Sequence, residues 1–218
     1  MRTTKSGIGK NNLLIIGGRA NSKIAKNIVE KNYHIIYYYA DRSYDKAEFE
    51  KEGFKCLDSY ADVQAVISLG ADFFIGIGGD DLRKIYTEKL IQLSGRFPIN
   101  VIDPKATIAK GVTMGDGNLI MHNAFININS IIGDSNIFNT GCIIEHDNLI
   151  GSYNHFAPKS TTGGYVTVGN HNNVFMNSTI LPFLKLDDNI TIGSSATVTK
   201  SSLEPGVYIG TPAKALKK

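Results

Sequence analysis

Residues 125–151 read "FININSIIGDSNIFNTGCIIEHDNLIG", and every sixth residue from Ile126 is apolar: Ile126, Ile132, Phe138, Ile144 and Ile150. A helix repeats its buried face every 3.6 residues and a strand every 2, so a strict period of six fits neither alone. It fits a short strand and a corner, repeated. Extended outward from Ile102 to Val198, the register covers seventeen positions without an insertion, and sixteen are apolar; Thr162 is the exception. The slot four residues later is small or amide-bearing, as at Ala124, Ser130, Asn136, Cys142 and Asn148, and glycines return every eighteen residues at Gly115, Gly133, Gly151 and Gly169. Three six-residue sides per turn describe a triangular parallel β-helix, with about five coils stacked about 4.8 Å apart.

Upstream the grammar differs. "NLLIIG", "HIIYYY" and "ADFFIGIGG" are strand-like. "SKIAKNIVEKN" carries Ile24, Ala25 and Ile28 at helical spacing, and "DDLRKIYTEKLIQLSG" reads as a second helix capped by Asp80 or Asp81. Alternating strands and helices imply a small parallel α/β unit, so the expected domains are 1–100 and 101–218. The net charge of +3 is mild and its lysines are scattered, which gives no footprint for nucleic acid or membrane. Cys56 and Cys142 lack metal or disulfide spacing and read as reduced thiols, so a cytoplasmic location is expected. The polar start and the short "LLII" run give no signal peptide or span.

The hexads, the His146–Asp147 pair and the closing "GVYIGTPAKAL" resemble the left-handed β-helix acyltransferases. With the α/β unit, the chain is similar to the PglD-like sugar N/O-acetyltransferases and their sialic acid O-acetyltransferase relatives. That resemblance implies a Rossmann-like nucleotide-sugar-binding domain followed by a left-handed β-helix, acetyl-CoA as cosubstrate, and a homotrimer with sites in the clefts between subunits. It implies N-acetylation of a nucleotide-linked amino sugar for surface glycans, with a UDP-4-amino-4,6-dideoxy-N-acetyl-hexosamine as the specific expectation. The rivals are O-acetylation of sialic acid or another glycan sugar, and a non-enzymatic nucleotide-binding assembly protein on an idle prism.

His146 follows the ladder residue Ile144 by two, so it stands at a corner and faces out; Gly164, eighteen residues on, lies one coil above it. Transfer of an acetyl group from a thioester to an amine needs a base, which suits histidine, and a carboxylate on its other nitrogen. Asp147 is the expected orienter and Glu145 its competitor. Gly164 offers a backbone N–H to the developing oxyanion. His155, nine residues on from His146, lies half a coil away and is expected in the same region. The resemblance adds it to the coenzyme contacts, with the backbone around Gly164, the turn at Gly193–Ser195 that includes Ser194, and Lys214. Metal is not expected: a carbonic anhydrase of this fold needs a histidine spacing that His122, His146, His155 and His171 do not offer, and His122 and His171 read as surface or turn residues.

The loop after the first strand, "IIGGRANSKIAKN", suits a phosphate at a helix N-terminus but lacks G-x-G-x-x-G, which argues against a dinucleotide oxidoreductase. Gly17, Gly18 and Asn21 there, Asp41 after the second strand, and Gly78 and Gly79 after the third are the nucleotide-sugar candidates. The family has a histidine where Asn21 stands; an amide donates a hydrogen bond without the charge.

Overall fold

The structure is a computed structural model that describes residues 11–17, 19–41, 44–201 and 204–216. Its first strand, Leu13–Ile16 (β1), is buried along its whole length. That is the pattern of a strand covered on both faces. Next come Arg19–Val29 (α1), Ile36–Tyr39 (β2), Lys46–Lys51 (α2), Lys55–Cys56 (β3), Tyr60–Ser68 (α3), Asp72–Ile75 (β4) and Asp80–Ser94 (α4). The sheet is parallel in the order β3-β2-β1-β4. The chain therefore steps outward from β1 to β3 and then returns to the other side of β1. Such a reversal opens a crevice at the carboxyl ends of the two strands beside it, here β1 and β4.

The unit is richer than three strands and two helices: β3, α2 and α3 are additional. Ser59 and Asp62 form a reciprocal capping box that starts α3. The cap of α4 also differs from expectation. Gly79 occupies it without a side-chain bond, and Asp80 and Asp81 lie in the first turn, where the helix dipole favours them.

From Val101 onward the chain winds a left-handed parallel β-helix with five-, six- and eight-stranded faces. Partners are eighteen residues apart, as in the column Ile126, Ile144, Thr162, Ile180, Val198. The interior repeats with the coils: the Phe138 and Phe156 rings stack with centroids 5.3 Å apart. The amide-bearing slot proves to be a hydrogen-bond ladder at one corner. Asn136, Asn154 and Asn172 each give a backbone N–H to the Asn Oδ1 one coil below, at 2.8–2.9 Å. Buried turns thereby keep these backbone N–H groups paired, while Asn172 Nδ2 at the upper end of the ladder is buried without a partner.

The α/β unit sits on the eight-stranded face, where Val101, Leu119 and Ile137 join Leu13, Ile36 and Phe49 in one core. Arg83 of α4 pins the junction. It is 1 % exposed. Its guanidinium donates to the carbonyls of Gly78 (2.7 Å), Ser135 (2.8 Å) and Tyr153 (2.8 Å). Burial pushes its pKa down to about 10, so it stays charged at neutral pH. A second tie joins His171 Nδ1 to Asp80 Oδ2 at 2.9 Å. Among the described residues, no helix is long and apolar enough to cross a membrane.

Candidate active site

The turn at residues 145–147 leaves the six-stranded face after buried Ile144. Asp147 sits at φ +56, a left-handed conformation that short polar side chains tolerate because they bond locally. Its Oδ2 turns back onto the preceding ring, 2.8 Å from His146 Nδ1. Asn129, one coil below, donates to Oδ1 at 3.3 Å. The histidine bond, then the Asn129 bond, holds the Asp147 carboxyl below its ordinary range. An ionised carboxylate only accepts, so Nδ1 carries the proton and Nε2 of the neutral ring carries the lone pair. Glu145 is engaged elsewhere: its Oε2 accepts from Asn127 Nδ2 at 2.8 Å. Geometry thus separates two acids that the sequence left in competition.

Gly164 lies directly against this imidazole. A Cβ there would stand 2.6 Å from His146 Cε1 and 2.7 Å from Nε2. Only glycine leaves the ring its place. Tyr165 meets the same ring edge-on at 5.3 Å and stacks on Phe183 at 5.3 Å. These two aromatics were not singled out in the sequence. Their eighteen-residue spacing from Asp147 was the available signal.

The nucleotide-sugar candidates gather at the crevice beside β1. A cavity of about 350 Å³ is lined by Ile16, Gly17, Ala40, Asp41, Ile77, Leu82 and Tyr86. Gly17, at φ +116, is pressed against the Ile77 side chain and admits no Cβ. Asp41 Oδ1 accepts from the Tyr39 hydroxyl at 2.6 Å, and that bond, with burial, raises the Tyr39 pKa to about 12. Asn21, in the first turn of α1, reaches to within 3.7 Å of where a Gly78 Cβ would be, and Gly79 follows as the α4 cap. Gly18 lies outside the described residues.

The coenzyme candidates do not form one cluster. Gly193 has a packing reason, since a Cβ would come 2.8 Å from Ile209 of the closing strand. Ser194 and Lys214 are exposed, and Lys214 borders a hollow of about 450 Å³ with Lys200 and Tyr208. His155 corrects the expectation that it shares a region with His146. It points outward from the eight-stranded face, whereas His146 leaves the six-stranded one. Burial first, and the Arg83 charge second, depress the His155 pKa to about 4, so it is neutral.

Among the described residues, Asp80, Asp81 and His171 bring ligand atoms within 4.8 Å of one another. Asp80 and His171 are already paired, and the trio borders the domain junction. His171 is a turn residue, at φ +57, but a bonded one.

No family model matches the chain. Solved structures do match it. A variant of GDP-perosamine N-acetyltransferase from Caulobacter crescentus, in complex with CoA and GDP-perosamine, is 25 % identical with a TM-score of 0.84, over 97 % of this chain and 99 % of its own. The acetyltransferase domain of PglB from Neisseria gonorrhoeae, in complex with acetyl coenzyme A, is 22 % identical with a TM-score of 0.86, over 95 % and 100 %. WeeI from Acinetobacter baumannii is 21 % identical with a TM-score of 0.66, over 94 % and 99 %. The chain shares their fold. The likeness runs through both the α/β unit and the prism.

Proposed function

We propose that the protein transfers the acetyl group of acetyl-CoA to the amine of a nucleotide-linked amino sugar, for surface glycan synthesis. The observation that carries this reading is the 2.8 Å His146–Asp147 bond set against Gly164. His146 Nε2 takes the proton of the amine as its nitrogen attacks the thioester carbon. Asp147 holds the ring and stabilises the imidazolium. The carbonyl oxygen becomes an oxyanion facing the Gly164 backbone N–H. As the tetrahedral intermediate collapses, the C–S bond breaks and the imidazolium returns its proton to the CoA thiolate. A positioned base supplies about 10²–10⁴ in rate, and an oxyanion donor about 10²–10³.

The crevice lined by Gly17 and Asp41 holds the nucleotide, with Asn21, Gly78 and Gly79 at its phosphate side. Ser194, Gly193 and Lys214 contact the coenzyme, and the active unit is a homotrimer. The similar C. crescentus enzyme was solved with both CoA and GDP-perosamine, which supports a nucleotide-linked amino sugar as the acceptor class. Within that class we take a UDP-4-amino-4,6-dideoxy-N-acetyl-hexosamine as the acceptor. Acetyl transfer measured across UDP-, GDP- and dTDP-linked amino sugars, with free sialic acid alongside, tests the reading. Fastest transfer to a UDP-linked amine is the expected result. A GDP- or dTDP-linked optimum overturns the nucleotide, faster transfer to sialic acid overturns N-acetylation, and nucleotide binding without transfer overturns the enzyme.

A further inference from the structure

Beside the His146 turn the prism ladder changes its bonding. On the coil below, Asn127 gives its N–H to the carbonyl of Ile144 at 2.8 Å; on the coil above, Gly163 gives its N–H to the carbonyl of Ile180 at 2.8 Å. The equivalent donor between them is Glu145. Its N–H goes instead to the side-chain hydroxyl of Thr162, at 3.3 Å. Thr162 is also the single polar residue in the seventeen-position ladder, and it is fully buried.

The hydroxyl belongs to a closed network. Asn148 donates from Nδ2 to Thr162 Oγ1 at 3.2 Å and to the Gly163 carbonyl at 3.1 Å, and also to the Glu145 carbonyl. Ser130 Oγ donates to that same Glu145 carbonyl at 3.0 Å. Asn148 Oδ1 accepts from the Val166 N–H at 2.7 Å. Both ends of the 145–148 turn are therefore fastened to residues 162–166, the segment that carries Gly164. A valine or isoleucine offers only its backbone carbonyl, the acceptor used on the coils above and below. Without the hydroxyl the Glu145 N–H would return to that regular ladder bond and the Asn148 amide would lose a partner, so the turn would shift.

We propose that Thr162 is a positioning residue: its hydroxyl, with the Asn148 amide, sets the turn so that the His146 ring lies against Gly164. The proposal rests on His146 acting as the base. A reacting group displaced by about 1 Å loses about a hundredfold in rate, so such a clamp acts on turnover more than on binding.

The test compares Thr162→Val, Thr162→Ser and Thr162→Ala with His146→Ala in the acetyl-transfer assay, well below each variant's melting temperature. Thr162→Val should lower kcat about 10- to 100-fold while KM for both substrates stays within about twofold. Thr162→Ser, which keeps the hydroxyl, should hold at least about half the wild-type kcat, well above Thr162→Ala. A structural role alone would lower melting temperature without separating serine from alanine in kcat. Should Thr162→Val fail to fold, the serine–alanine comparison decides alone. Wild-type kcat in a folded Thr162→Val, or equal kcat for serine and alanine, overturns the proposal. Near-normal turnover by His146→Ala overturns the reading beneath it, which separates the two failures.

Discussion

Gly164→Ala isolates the contact between catalytic ring and coil. The glycine has an ordinary backbone conformation, so alanine meets no φ strain there; the three atoms nearest its methyl all belong to the imidazole. The Cβ would lie 2.6 Å from Cε1 and 2.7 Å from Nε2, while ordinary contact begins at 3.4 Å. The separation must therefore grow by 0.8 Å, from 2.6 to 3.4 Å. If the ring yields, the 2.8 Å Nδ1–Asp147 bond stretches or swings. If the 163–165 backbone yields, the oxyanion donor leaves its place. Either route misplaces a reacting group by close to 1 Å, which costs about a hundredfold in kcat, or about 2.7 kcal/mol of barrier. Steady-state kcat and both KM values, with a thermal melt, read this out. Gly151→Ala is the control, because its Cβ would come 2.5 Å from the Gly169 carbonyl oxygen, at another corner of the prism, and should lower melting temperature more than kcat. A folded Gly164→Ala enzyme within threefold of wild-type kcat would refute the reasoning.

His146→Ala should lose about 10²–10⁴ in kcat with KM for acetyl-CoA nearly unchanged, and Asp147→Asn should lose less; near-normal turnover of His146→Ala at neutral pH rules out its role as base. Asp41→Ala should raise KM for the nucleotide sugar and leave KM for acetyl-CoA alone; an equal effect on both sinks the assignment of the crevice. His155 gives a pH signature in stability. Its folded pKa of about 4 lies below its ordinary 6.5, so between these values the unfolded chain binds a proton that the fold refuses. Stability is then lost as pH falls through that window, by about 2 kcal/mol at pH 5. Urea melts at pH 7 and 5 should show a shallower loss for His155→Gln, and parallel losses would exclude the burial of a neutral imidazole.

The prism was readable because its period is enforced coil after coil: a residue out of register at Ile126 or Ile144 would face the wrong side of a strand. The same register placed Gly164 over His146 and marked Thr162 as irregular. It did not assign a bonding role to that threonine, because a hydroxyl's partner depends on atoms from the neighbouring coil. The α/β unit was readable only where strands were long. Lys55–Cys56 has two residues, too few to show alternation, although the Ser59–Asp62 box could have marked α3. Arg83 was invisible. On the helix it occupies an ordinary polar position, and its burial arises only when the unit docks on the eight-stranded face. His155 was misplaced for the same reason. Nine residues fix half a coil, but the environment of that half is set by the docked domain.

That docking also bears on how a site is completed. The coil passes from the eight-stranded face at Ile137–Phe138 to the six-stranded face at Ile143–Ile144, then to the five-stranded face at Leu149–Ile150. His146 thus occupies the corner opposite the side on which the α/β unit sits. A sugar anchored by its nucleotide at Asp41 would have to cross or round the prism to meet its own chain's imidazole. A neighbouring chain presenting its corner removes that difficulty, and three such contacts close a ring. Around the corner, Ile131, Leu149, Tyr165 and Phe183 are 54, 48, 52 and 75 % exposed. Exposed apolar side chains gathered at one corner suit burial by a neighbouring chain. Sedimentation should therefore give a trimer, and complementation goes further. Co-assembling equal amounts of His146→Ala and Asp41→Ala chains leaves both residues intact at about a quarter of shared sites, ½ × ½, if each site uses two chains. Assayed with nucleotide sugar well below KM, the mixture should recover about a quarter of wild-type activity, far above either variant alone. If each site lies within one chain, every site in the mixture carries one lesion. No recovery in verified mixed trimers, or an active monomer, defeats the two-chain site.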